Sequence, residues 1–166
     1  HFVFNINIIK GLLPDLLGCE PFDVWELSAF LDARGAAVPR RNEGRRLAYH
    51  DSCHMLRELR ISEPPRRLLR RSGAEIVPLA RPDLCCGFGG TFSVRQPEVS
   101  VAMADDKLAG AVGLDALVSA DPGCLMHLRG RAERVGASVP VVHLATALYR
   151  GAPSSLVLHG TNQETA

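Results

Sequence analysis

The chain has 166 residues and 46% hydrophobic content, enough for one domain with a real core. Its formal net charge of +1 gives no global attraction to nucleic acid or an anionic membrane, and 5% aromatic content leaves few stacking platforms for a single-strand binder. The apolar run over residues 2–9 is far too short to span a bilayer. It lacks a basic start and a small-residue cleavage site, so it reads as a strand and not as a signal peptide. With no export signal, a reducing cytoplasm is the expected compartment, and the cysteines are expected as thiols or ligands.

Residues 12–17 and 23–31 read as short amphipathic helices separated by Pro21, the second ending near Gly35. Residues 36–46 carry Pro39, Gly44 and four arginines, which suits an exposed connector. An α/β rhythm follows. A strand over 47–49 leads into His50-Asp51-Ser52-Cys53 and a helical stretch over 54–59. Pro64-Pro65 opens a helix that runs to Arg71 and stops at Gly73. A strand over 75–79 precedes the turn Cys85-Cys86-Gly87-Phe88-Gly89-Gly90, and Pro97 starts a helix to about 112. The next strand covers 116–120, after which Asp121-Pro122-Gly123 turns into a helix beginning near Cys124 and ending at Gly136. A strand over 140–142 and a helix over 144–149 complete the pattern, and the tail from Pro153 reads as loosely held.

Strand, turn and helix in repetition predict an α/β fold: an open, mostly parallel sheet flanked by helices. The expected organisation is an N-terminal helical segment and connector over 1–44, a cysteine-rich domain over 45–151 and a tail over 152–166.

Four thiols form a frame: Cys53, the adjacent pair Cys85 and Cys86, and Cys124. Each stands after a predicted strand, at the carboxyl edge where open α/β sheets bind ligands. Loops from neighbouring strands would therefore deliver all four to one point. Thiolates in this number select zinc or an iron–sulfur cluster over magnesium or calcium. Adjacent Cys85 and Cys86 can address two metal atoms, and Gly87, Gly89 and Gly90 let the backbone approach a bulky inorganic group. If Cys124 opens its helix, His127 three residues on shares its face and can point at the same centre. His50 and His54 flank Cys53, each either donating a hydrogen bond to sulfur or serving as a loop histidine.

Other residues have plainer expectations. Asp51 and Asp121 suit helix caps. Phe88 and Phe92 suit core packing or a cover over the thiols. Arg66, Arg67, Arg70 and Arg71 form a basic helix face, either solvated or docking an acidic partner. His143 suits a structural role, and Cys19 a small buried hydrophobe. Gly87-Phe88-Gly89-Gly90 lacks the glycine spacing of a dinucleotide fingerprint, so no self-contained site for hydride chemistry is expected. Two further chemistries stay open: a zinc-stabilised interaction module using Cys53, Cys85 or Cys86, Cys124 and His127, and thiol–disulfide exchange at Cys85, Cys86 or Cys124 with lowered thiol pKa.

Tyr49-His50-Asp51-Ser52-Cys53-His54, Cys85-Cys86-Gly87-Phe88-Gly89-Gly90-Thr91-Phe92 and Ser119-Ala120-Asp121-Pro122-Gly123-Cys124 together resemble the cysteine-rich CCG-domain iron–sulfur oxidoreductase family, in its lactate-utilization branch. The resemblance covers about residues 10 to 150, with three motifs in order. It implies a thiolate-held cluster of 4Fe-4S type, non-cubane in some members, with Cys53, Cys85, Cys86 and Cys124 as ligands, Gly87 at the cofactor and His54 behind the ligands. It also implies oxidation of lactate or a similar 2-hydroxy acid to pyruvate in company with two sister subunits. The family's final Cys-x-x-Cys stands here as Cys124-Leu125-Met126-His127, which removes one thiol ligand and leaves zinc as an alternative. Members of the branch carry two Cys-Cys-Gly halves. This chain has one, and reads as the second half with a remnant of the first.

Overall fold

The computed structural model describes residues 5–6 and 8–153. Four short strands, β1 (Arg46–Tyr49), β2 (Glu75–Ile76), β3 (Ala116–Ser119) and β4 (Val141–His143), form one sheet in the order β2-β1-β3-β4. Every pairing is parallel, as the repeated strand–helix pattern requires. Seven α-helices accompany them among the described residues: α1 (Leu13–Leu17), α2 (Leu27–Ala33), α3 (Glu63–Arg71), α4 (Thr91–Arg95), α5 (Pro97–Ala109), α6 (Pro122–Val135) and α7 (Leu144–Arg150).

β1, β3 and β4 are largely buried on both faces, so period-two alternation sorts their side chains between two cores. Leu47, Tyr49, Val118 and Val142 face α3 and α7, where they meet Leu68, Leu69, Leu144 and Leu148. Ala48, Leu117 and Val141 face the other way, onto Ala104 and Leu108 of α5 and Leu125 and Leu128 of α6. β1 and β3 are neighbours, with the chain leaving β1 for β2 on one side and continuing from β3 to β4 on the other. The crevice of a sheet of this kind opens at such a reversal, beyond the carboxyl ends of the strands.

Several local expectations change. The run over 2–9 is not a strand where it is described: Asn5 and Ile6 are helical and Ile8–Leu12 forms a π-helical turn, the rest lying outside the described residues. An apolar run this short carries no period that separates the two states. The second helix begins later than the sequence suggests, because the Glu26 carboxylate accepts from the Ser28 amide (2.8 Å) and the Ala29 amide (3.1 Å) and so fixes the start at Leu27. β2 ends at Ile76, two residues before Pro78, though the Val77 amide still donates to the Leu47 carbonyl at 2.9 Å. The tail beyond residue 153 lies outside the described residues.

The connector over 36–46 is largely exposed, but Asn42 within it is fully buried. Its amide nitrogen donates to Ser72 Oγ (2.8 Å) and the Ala147 carbonyl (2.9 Å), and its oxygen accepts from the Ala152 amide (2.7 Å). The arginines of α3 are paired: Arg66 is partly buried, while Arg67, Arg70 and Arg71 are exposed. Arg66 binds Asp51, Arg67 and Arg71 bind Asp32, and Arg70 lies near Glu63. The basic face is spent on the chain's own acids.

Candidate metal centre

The carboxyl edge of β1 carries the first motif. The strand's ladder runs one residue past Tyr49, with the His50 amide donating to the Val118 carbonyl at 2.8 Å and the Ser119 hydroxyl donating to the His50 carbonyl at 3.1 Å. Asp51 is buried and takes a two-pronged bond from Arg66, at 2.8 and 2.6 Å, rather than capping a helix. Arg66 also lies over the Tyr49 ring at 5.1 Å. These contacts hold the loop still as it delivers Cys53 to the π-helical turn His54–Glu58.

Cys85 and Cys86 arrive on the long segment after β2. Lys107, buried on the inner face of α5, donates to the Arg81 carbonyl (2.7 Å) and the Pro82 carbonyl (3.3 Å) and so pins that segment. Gly87 then turns the chain at φ +91°, with the Ser100 hydroxyl donating to its carbonyl at 2.7 Å. A Cβ at this position would lie 2.4 Å from the Ser100 carbonyl oxygen, so glycine is required twice over.

Cys124 comes from the first turn of α6. Asp121 caps that helix as expected, accepting from the Gly123 amide (2.9 Å) and the Cys124 amide (3.1 Å). A Cβ on Gly123 would lie 2.8 Å from the Phe88 ring, so this glycine lets the aromatic close over the helix start.

Cys53, Cys85, Cys86 and Cys124 all line one cavity of about 490 Å³, together with His54, Phe88, Asp121 and Met126. Cys86 and Cys124 are buried at its inner end, and Cys53 and Cys85 are half-buried. The Cys85 thiol is held well above its ordinary pKa by its hydrogen bond with Cys86 and by burial. Contact with the Cys124 thiol and burial push Cys86 up to about 12, against relief from Cys85. Burial and then the neighbouring Cys85 raise Cys53. Raised values run against the thiol–disulfide expectation, which needs a lowered one. They are what a crowd of thiols shows when no cation shares the space.

The donor set fits a soft metal group. Among the described residues, the ligand atoms of His50, Cys86 and Cys124 lie within 4.8 Å of one another, and Cys53 and Cys85 extend the set outward. A single zinc ion holds its sulfurs about 3.8 Å apart, at Zn–S of about 2.3 Å. The cavity has room for such an ion or for a larger soft-metal group.

His54 lies at the cavity, its Nδ1 3.9 Å from Cys53 Sγ and 3.7 Å from Asp121 Oδ2. His127 is not brought in. Its Nε2 lies 3.2 Å from the Ser100 hydroxyl, on the α5 side, and its ring borders Phe88 instead of the thiols. The packing of α6 on α5 holds His127 against Ser100, while Met126 beside it in the helix lines the cavity. His143 is structural: Nε2 donates to the Ala120 carbonyl at 3.1 Å while Nδ1 accepts from the Ala145 amide at 3.1 Å. Cys19 is exposed, not a buried hydrophobe.

Two site residues were under-read in the sequence. His50 is fully buried with both ring nitrogens unpartnered, and burial first, then the Lys107 charge, depress its pKa to about 3. Lys107 itself shares the inner stripe of α5 with Ser100, Ala104 and Leu108. A lysine on an apolar stripe was the available signal.

A model of the CCG family, described as a cysteine-rich domain, matches residues 47–129, which spans all three motifs. The chain belongs to the cysteine-rich CCG family. Its relatives include Lactate utilization protein A of Shouchella clausii, 48% identical over 107 residues, covering 63% of this chain and 45% of that protein. The protein of the same name from Geobacillus thermodenitrificans is 44% identical over 133 residues, covering 75% of this chain and 54% of that protein. The one from an Exiguobacterium species is 46% identical over 106 residues, covering 62% of this chain and 43% of its own length. This CCG chain thus spans about half the length of the curated relatives it matches. Among the described residues, no helix is long and apolar enough to cross a membrane.

Proposed function

We propose that this CCG domain holds an iron–sulfur cluster through Cys53, Cys85, Cys86 and Cys124 and serves as the electron-transfer part of an assembly that oxidises lactate, or a similar 2-hydroxy acid, to pyruvate. The observation that carries this reading is the delivery of four thiols from three separate β–α junctions into one cavity. The names of its relatives supply the substrate class. An iron–sulfur cluster, when bound, takes up and gives up single electrons. The chain's own residues would bind and shelter it: the four thiols as ligands, Phe88 and Met126 over the cavity, and Gly87 and Gly123 letting the Cys85–Cys86 turn pack on Ser100 and Phe88 close over the start of α6.

Oxidation of a 2-hydroxy acid to a 2-keto acid removes two electrons and two protons. The glycine turn has no dinucleotide fingerprint, so that step belongs to sister subunits, with the released electrons passing through this domain in single transfers. The buried Lys107 ammonium behind Cys86 offsets part of the charge that four thiolates bring.

The test is anaerobic reconstitution with iron and sulfide, followed by quantification of iron, sulfide and zinc per chain. Stoichiometric iron and sulfide with visible absorption is expected, and Cys85→Ser or Cys86→Ser should lose most of it. A folded, colourless chain that takes up one zinc and no iron would replace the cluster with a single-ion structural site.

A further inference from the structure

We propose that His50 is itself a metal ligand, its imidazole joining the Cys86 and Cys124 thiolates at the buried inner corner of the centre while Cys53 and Cys85 take the outer side. The inference rests on the metal-centre reading and not on the identity of the substrate. Four histidines fall among the described residues, and three have evident protein contacts. His54 lies against Cys53 and Asp121, His127 against Ser100, and His143 bridges the Ala120 carbonyl and the Ala145 amide. His50 is fully buried, and neither of its ring nitrogens has a hydrogen-bond partner.

A buried imidazole without partners is costly, and an apolar side chain would fill the space without that cost. One arrangement removes the anomaly. A ring nitrogen of His50 and the sulfurs of Cys86 and Cys124 lie within 4.8 Å of one another. Ligation at about 2.0 Å to nitrogen and about 2.3 Å to sulfur would need the three atoms to close in by at most about 1.3 Å. The backbone is set for this: the His50 peptide is bonded on both sides to β3, through the Val118 carbonyl and the Ser119 hydroxyl. Imidazole and thiolate together favour zinc, iron or cobalt over hard cations. A centre built this way has a dry inner corner of mixed nitrogen and sulfur, and a more accessible outer corner of sulfur alone.

The experiment loads the whole chain, labelled with 15N-histidine, with cobalt(II) under anaerobic conditions. Thiolate-to-cobalt charge transfer reports whether the thiols bind metal, and pulsed EPR reports nitrogen coupled to the cobalt. Expected is one strongly coupled histidine nitrogen that persists in His54→Ala and His127→Ala. In His50→Ala it should vanish, with cobalt affinity falling tenfold or more. Charge transfer without nitrogen coupling, or coupling lost in His54→Ala or His127→Ala, overturns the assignment to His50 while leaving the thiolate centre standing. Absence of charge transfer overturns both. Should His50→Ala fail to fold, His50→Gln takes its place, the coupling being expected to vanish there and to persist in His54→Ala, His127→Ala, His143→Ala and a variant lacking His1 and His159.

Discussion

Two adjacent thiols are awkward to bury, and the cavity makes their cost visible. Cys85 and Cys86 share one hydrogen bond, and Cys86 shares another with Cys124, so ionising any one places a negative charge in a crowd of sulfur. In the metal-free chain Cys85 and Cys86 stay protonated well above the pH at which an ordinary thiol ionises. For Cys86, raised from 9.0 to about 12, the thiolate fraction at neutral pH is about a thousandfold below that of an unperturbed thiol. Iodoacetamide should therefore alkylate the exposed Cys19 first, and the rate at Cys86 should keep climbing past pH 9 in folded protein. In urea the Cys86 rate should level off near the ordinary thiol value. Site-resolved mass spectrometry across pH checks this, and fast alkylation of Cys86 at pH 7 would restore the thiol-exchange reading. A soft cation reverses the balance, because each thiolate then gains a partner.

Two helices that begin at this edge of the sheet owe their starts to single side chains. Asp121 holds the first turn of α6, and His143 holds that of α7 through an Nδ1 that accepts only while the ring is neutral. Asp121→Ala should cost about 1 kcal/mol, and Asp121→Asn much less, measured by urea unfolding. For His143 the folded pKa is depressed, chiefly by burial, so the unfolded chain binds more protons below pH 6.5. Its contribution is complete above that value and is lost as the pH falls. His50 adds to the same acid slope, so the comparison is between the parent chain and His143→Ala, whose slope between pH 7 and 5 should be shallower.

Elements marked by strong punctuation were legible in the sequence: Pro64-Pro65 in the first turn of α3, Pro97 at the first position of α5, Gly136 after α6. Those set by distant partners were not. The start of α2 depends on where the Glu26 carboxylate folds back, and α4 follows the glycine turn with no side-chain cap to mark it. The site followed the same division. The thiols could be grouped from their places after strands, but the turning of His127 toward Ser100 and the isolation of His50 depend on packing between α5, α6 and the sheet.

Across the whole molecule, stability and binding are lodged at opposite edges of the sheet. The carboxyl edge carries the crowded thiols, the unpartnered His50 ring and a buried lysine, all features that cost free energy without a bound group. The amino edge carries Asn42, whose side chain joins the connector to Ser72, to α7 and to Ala152. This division predicts that two substitutions will separate the properties. Asn42→Ala removes three buried hydrogen bonds and should cost about 2–3 kcal/mol, lowering the urea midpoint at unchanged slope. Cobalt affinity of the folded fraction should move by less than about twofold, since the site's own contacts are intact. Gly87→Ala should behave in the opposite sense. Its Cβ must displace the Ser100 carbonyl, which shifts the Cys85–Cys86 turn and should weaken cobalt binding by at least about tenfold, a larger loss than its change in midpoint accounts for. Parallel loss of both properties in both variants would mean that the cysteine edge helps hold the fold up, and that the domain needs its metal in order to fold.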